Sequence, residues 1–278
     1  MRPLGLSKSG KYFGHCVSPC DPCGLECTLV DLTTHQRVQL RTAGEHRGDP
    51  DYQPNAAEKR ATELIAREYP DGEKSPQRHF AGVFPYEDIV FATKTEPMDA
   101  NGKIALLFGA RVAGEDAVFP YRMTMGPHGM WQNVQARASA ANMREPELAA
   151  LDVLGDGKEV GVVAFARGDS WFEAADMVIV PTAVLAGRLY NESGLVAHKA
   201  KRYAPAAALF AKASSAQPSE SLFAYNEACA RAKAGDAQAE AALQRAIKLG
   251  GNAIKARAKK DADFDDVKSA PWFGALTR

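Results

Sequence analysis

The sequence predicts an α+β protein, with an antiparallel β-rich domain over residues 1–182 followed by a helical domain over residues 183–278. Three observations carry that expectation. Short runs rich in β-branched and aromatic residues, separated by Gly, Pro, Asn and Asp clusters, fill the first two thirds of the chain. After Pro181 the texture changes to alanine-rich stretches with apolar residues at helical spacing. The length of 278 residues, with 46% apolar and 24% charged residues, is enough for two globular domains with cores and does not fit global disorder.

Lys11 to Val17 and Cys27 to Leu32 read as strands, and Arg37 to Arg41 alternates like a partner across the turn Thr33, Thr34, His35, Gln36, so the opening is a β-meander. Between Pro54 and Tyr69, Ala57, Ala61, Leu64 and Ile65 recur at helical spacing; Asn55 is placed to cap that helix and Pro70 to end it. Strand-like runs resume as HFAGVF, DIVFAT, KIALLFGARVA and AVFPYRM, split by turn clusters such as Asp99, Ala100, Asn101, Gly102. Leu148 to Leu154 and Val160 to Ala166 flank Gly155, Asp156, Gly157 and Lys158, a hairpin signal, and MVIVP closes the β-rich part.

In the last third the spacing itself is informative. Counting on from Gly194, Tyr203, Ala206, Phe210, Ala213 and Pro218 fall where a pair of antiparallel helices needs them. Small residues let the helix axes approach, aromatics fill the remaining gap, and proline stops the second helix. One period of 34 residues after Gly194 stands Ala228. Ala239, Leu243 and Ala246 then repeat the roles of Ala206, Phe210 and Ala213 one residue early, which predicts a connection shortened by one at Ala234 and Gly235. These intervals resemble the tetratricopeptide repeat (TPR) superfamily, over about a third of the chain. The resemblance implies two helical hairpins and a closing segment in which Phe264, Val267, Trp272 and Phe273 cap the open end. It also implies a protein or peptide partner on a concave surface, or packing of the hairpins against the chain's own β domain, since two repeats are fewer than the three an independent solenoid needs. Asn191, Leu195 and Asn226 are the candidate groove residues. Asn226 stands where some TPR domains hold an asparagine that grips a peptide carboxylate, and Leu195 occupies the position of its companion, which leaves that clamp incomplete.

Four of the five cysteines, Cys16, Cys20, Cys23 and Cys27, fall within twelve residues. In an oxidising compartment they pair as two disulfides pinning a strand-to-strand loop, with three possible connectivities; this is the expected state, with no cofactor. Reduced, four thiolates could complete a tetrahedral zinc site or carry an iron–sulfur cluster, which is the alternative. The cysteine density points to a periplasmic or secreted location, such as the bacterial cell envelope, whereas the start, MRPLGLSKSGKYF, shows no apolar leader segment. Cys229 reads as a small buried apolar residue.

Other signals carry less. Gly5 to Lys11 fits GxxxxGK, but Tyr12 replaces the hydroxyl residue that would reach Mg²⁺, and no strand is expected ahead of it. Met123, Met125, His128, Met130 and Trp131 could hold a soft metal and read more simply as core around a turn. Lys255, Arg257, Lys259 and Lys260 adjoin Asp261, Asp263, Asp265 and Asp266, which reads as a solvated, self-compensating surface. From Gly187 onward there are 15 basic and 9 acidic residues, against 19 and 25 before it, an asymmetry too mild for a nucleic-acid partner. No apolar run reaches membrane-spanning length. With no hydrolase, zinc-protease, dinucleotide or kinase motif, the expected function is that of a non-catalytic binding or scaffold protein.

Overall fold

The computed structural model describes residues 2–17, 24–43, 52–70, 79–96, 104–125, 147–167 and 173–278, and the protein is α+β: N-terminal antiparallel sheets followed by C-terminal helices. Cys20, Cys23, the turn at 99–102 and His128, Met130 and Trp131 lie outside the described residues. Two compact units form. The first comprises Met1–Pro85, Thr93–Phe108 and Tyr121–Pro181; the second comprises Tyr86–Ala92, Gly109–Pro120 and Thr182–Arg278.

In the first unit, β1 (Arg2–Leu6), β2 (Tyr12–Val17), β3 (Glu26–Asp31) and β4 (Gln36–Arg41) make an antiparallel sheet in that order. The central strands are covered on both faces. Phe13, Val17 and Val30 join one apolar cluster with Ala150, Leu154, Val163 and Met177, whereas Cys16, Cys27 and Leu29 join another with Ile65 and Tyr69 of the neighbouring helical segment. That double burial leaves β2 buried on successive residues from Phe13 to Val17, while edge strand β4 alternates exposed residues with half-buried Val38 and Leu40. Helix α1 (Ala56–Glu68) starts as expected: the Asn55 side chain accepts from Ala57 N and Glu58 N, and Glu58 reaches back to Asn55 N at 3.0 Å.

Strand β1 is absent from the sequence-based expectation because it carries Pro3 and Gly5. Both suit an edge strand with a bulge, and Gly5 has φ 64° at the register shift between Pro3 and Gly5. The residues after it, Ser7 to Lys11, turn directly into antiparallel β2, so a strand does precede the GxxxxGK segment, but no helix follows to receive a phosphate.

A second sheet has the order β11-β10-β9-β5, from β5 (His79–Ala81), β9 (Glu147–Leu154), β10 (Glu159–Arg167) and β11 (Glu173–Pro181). The expected hairpin at Gly155–Gly157 forms, with Asp156 at φ 56°. The three-residue β5 pairs with β9 in parallel, so this sheet is mixed. A third sheet has the order β6-β7-β8, from β6 (Ile89–Glu96), β7 (Ile104–Val112) and β8 (Val118–Met125), with Met123 buried as a core residue.

The second unit holds α2 (Thr182–Lys199), α3 (Tyr203–Ala216), α4 (Ser221–Lys233), α5 (Ala239–Lys260), a 3-10 turn at Ala262–Val267 and α6 (Pro271–Thr277). The four long helices pack in succession, α2 on α3, α3 on α4 and α4 on α5. Phe210 is 1% exposed, and a Cβ built on Gly194 would lie 2.6 Å from its ring, so only glycine lets α2 approach that aromatic. Ala206, Ala213, Ala228, Ala239, Leu243 and Ala246 are all buried, Tyr203 is half-buried, and exposed Pro218 follows the end of α3. The shortened connection is not found. Residues 234–238 join α4 to α5 where 200–202 suffice between α2 and α3; α5 begins at Ala239 itself whereas α3 begins at Tyr203, ahead of Ala206, and this later start outweighs the longer connection and leaves the net shift of one. Gly251, at φ 59°, breaks α5 into two limbs, and Phe264, Phe273, Trp272 and Val267 pack over the core of the second hairpin.

Residues just before β6 and between β7 and β8 complete this unit. The Asp88 carboxylate accepts the Tyr190 hydroxyl at 2.5 Å and Lys212 Nζ at 2.6 Å, and Arg202 forks onto Glu115 with bonds of 2.7 and 2.6 Å. Burial alone would raise the Asp88 carboxyl, but its bonds from Lys212 and Tyr190 outweigh that and hold it below its ordinary value. Its contribution to stability is therefore complete above the unfolded carboxylate value, about 3.9, and is lost as the pH falls from there through the lower folded value. Replacing Asp88 by Asn is expected to lower the urea midpoint at neutral pH and to flatten its decline over that acid window, measured by helical circular dichroism.

Candidate functional site

Two places collect side chains with chemistry. In the first unit, Cys16 on β2 and Cys27 on β3 stand directly opposite one another and are joined by a disulfide across a sequence separation of 11. Both sulfurs sit in the cluster of Leu4, Leu29, Ile65 and Tyr69, packed away from water. A sulfur in a disulfide has no thiolate to give a metal.

In the second unit, α2, α4 and the segment after α5 converge. Asn226 Nδ2 on α4 donates to Asn191 Oδ1 on α2 at 2.8 Å, linking two helices that are not sequence neighbours, and Leu195 and Asn226 remain half-buried beside that bond. Asn226 thus pairs with Asn191, one turn before the expected companion position at Leu195. Behind it, buried Glu227 accepts Arg231 Nε at 2.9 Å and the Arg245 guanidinium, which braces α4 against α5.

Also on α4, Tyr225 and Cys229, one turn apart, meet the acidic run. The Tyr225 hydroxyl donates to Asp261 Oδ2 at 2.7 Å, Cys229 Sγ lies 4.0 Å from the same oxygen, and Asp263 N donates to Asp261 Oδ1 at 3.0 Å. His198, near the end of α2, places Nε2 at 3.3 Å from Asp263 Oδ2. The rings of His198 and Tyr203 meet edge to face at 5.1 Å, and Arg257 stacks over Tyr225 at 4.5 Å. Burial, then the neighbouring Asp261, raises the Asp263 carboxyl, while His198 pulls it back. Burial, then Asp261 and Asp263, drives the Cys229 thiol far up, so by itself it is an inert thiol at neutral pH.

The acidic run is thus not wholly a solvated surface. Asp265 and Asp266 do pair with Lys268 and Lys233 at the surface, but Asp261 and Asp263 turn inward onto α2 and α4. A signal for this was present in the repeat spacing: Cys229 stands 34 residues after Leu195, and Asp263 stands 34 after Cys229. Extending the period into the closing segment brings those positions onto one face. His198 has no motif of its own and is found only from the structure.

The fold and these sites define an α+β protein with a disulfide-bonded sheet domain and a stack of helical hairpins. No protein-family model matches the chain, and no curated protein or solved structure matches it. Among the described residues no helix is long and apolar enough to cross a membrane.

Proposed function

We propose that this is a non-catalytic binding or scaffold protein whose α2 to α5 hairpins act as a short TPR-type module for an extended protein or peptide segment. The observation that carries the reading is the interlock of Gly194 with Phe210 together with the Asn191–Asn226 bond, since it makes α2 and α4 adjacent walls of one face. On that face Leu195 offers an apolar contact and the Asn226 amide a polar one for a peptide backbone. The clasp from Asp88 and Glu115 engages Tyr190, Arg202 and Lys212 and spares the three groove residues, so packing of the hairpins on segments 86–92 and 109–120 and binding of a partner are compatible. The reading needs no cofactor and no nucleic acid. The buried Cys16–Cys27 bond favours a periplasmic or secreted location over a reducing one.

A displayed library of random peptides, panned on the intact protein, tests this. The expected outcome is a recurrent peptide pattern whose affinity falls at least about tenfold, about 1.4 kcal/mol, in Leu195→Glu and in Asn226→Arg with the melting temperature unchanged. Failure to select any pattern, or selection of peptides indifferent to both substitutions, would overturn it.

A further inference from the structure

We propose that His198, Cys229, Asp261 and Asp263 form a binding site for one zinc-class transition-metal ion, tying α2 and α4 to the closing segment. The ligand atoms of Cys229, Asp261 and Asp263 all lie within 4.8 Å of one another, and the imidazole Nε2 of His198 is 3.3 Å from Asp263 Oδ2. A tetrahedral zinc site with bonds of about 2.0–2.3 Å needs ligand separations of about 3.3–3.8 Å, which Cys229, Asp261 and Asp263 would reach by a contraction of up to about an ångström, with the His198 imidazole turning in from beside Asp263 as the fourth ligand.

The set is more than an acidic cluster. Cys229 is 5% exposed, and His198 Nε2 is shut off from solvent and makes no hydrogen bond among the described residues, although it faces a carboxylate. A thiol and an imidazole from separate helices therefore meet these carboxylates, Cys229 beside Asp261 and Asp263 and His198 beside Asp263. The nearest basic side chains are directed elsewhere: Lys233 Nζ to Asp266 at 3.1 Å, and Arg257 to the face of Tyr225. A divalent cation would relieve the repulsion between Asp261 and Asp263.

Ligand chemistry selects the class of ion. Thiolate and imidazole favour zinc or cobalt over calcium or magnesium, which prefer all-oxygen sites. The Cys229 thiol gives its proton to solvent as the ion binds, since a coordinating metal deprotonates a thiol outright. Around the ligands, the Tyr225 hydroxyl holds Asp261 and the Tyr203 ring fixes the His198 imidazole, the kind of outer support that orients metal ligands. The site stands independently of the peptide-binding reading.

Cobalt(II), added to the intact, oxidised and chelator-stripped protein and then displaced by zinc, is the probe. The expected result is one ion per chain, with the visible bands of a tetrahedral ion and a thiolate-to-cobalt band that disappears in Cys229→Ala. His198→Gln and Asp263→Asn are expected to weaken affinity at least about tenfold with circular dichroism unchanged. The signal should persist in Cys20→Ser/Cys23→Ser, which separates this site from the N-terminal cysteines. A thiolate band that survives in Cys229→Ala, one lost only in the Cys20/Cys23 variant, or no stoichiometric ion at all would overturn the proposal. If Cys229→Ala does not fold, unchanged affinity in both His198→Gln and Asp263→Asn would do the same.

Discussion

Truncating Phe210 to Ala is expected to destabilise the helical unit by about 3–5 kcal/mol, the largest loss from any single side chain considered. The ring is fully enclosed and rests on the bare backbone of Gly194. Truncation removes both the apolar transfer energy and the contacts of a close-packed gap that α2 and α3 cannot collapse to fill. Introducing a methyl at Gly194 is expected to cost less, about 1–3 kcal/mol, because the ring must shift away from it. The two changes share one gap, so they should not be additive: with Phe210 already truncated, the added methyl meets no ring. A double-mutant cycle in urea, followed by circular dichroism, measures this. Additive losses would show that the two residues do not form a single contact.

Removing the Cys16–Cys27 bond by the double substitution to Ala is expected to cost about 2–4 kcal/mol, through greater freedom of the unfolded chain. The substitution also withdraws two sulfurs from the cluster beside Ile65 and Tyr69, which pushes the loss toward the upper part of that range. Without reductant, Cys16 and Cys27 should resist alkylation even in denaturant, and they should react once reduced. Peptide mapping of the alkylated chain reads this residue by residue. Alkylation of both cysteines in unreduced, denatured protein would count against the bond.

The elements that were legible in the sequence are those whose signal is local. Asn55 and Glu58 form their capping box, the Gly155 to Lys158 segment turns a hairpin, and Phe210, Ala206 and Ala213 are buried at helical spacing. What escaped depends on distant partners. Strand β1 exists because β2 pairs with it and Asp152 accepts its Leu6 N at 2.8 Å, against the local advice of Pro3 and Gly5. The parallel pairing of β5 is likewise a choice made by β9. For the site, the sequence singles out Asn191, Leu195 and Asn226, but the inward turn of Asp261 and Asp263 depends on Tyr225 and His198, which lie a repeat or more upstream.

The clasp at Asp88 and Glu115 bears on the order in which the molecule can be made. Ribosomes release the chain from its N-terminus, so residues 86–92 and 109–120 emerge well before Tyr190, Arg202 and Lys212, to which they bind. Until those helices appear, both carboxylates wait without their final partners. A nascent chain stalled before residue 182 is therefore expected to be more open to protease in those two segments than the finished protein. By the same logic, a fragment beginning at Thr182 would start life without two of the segments that complete its unit.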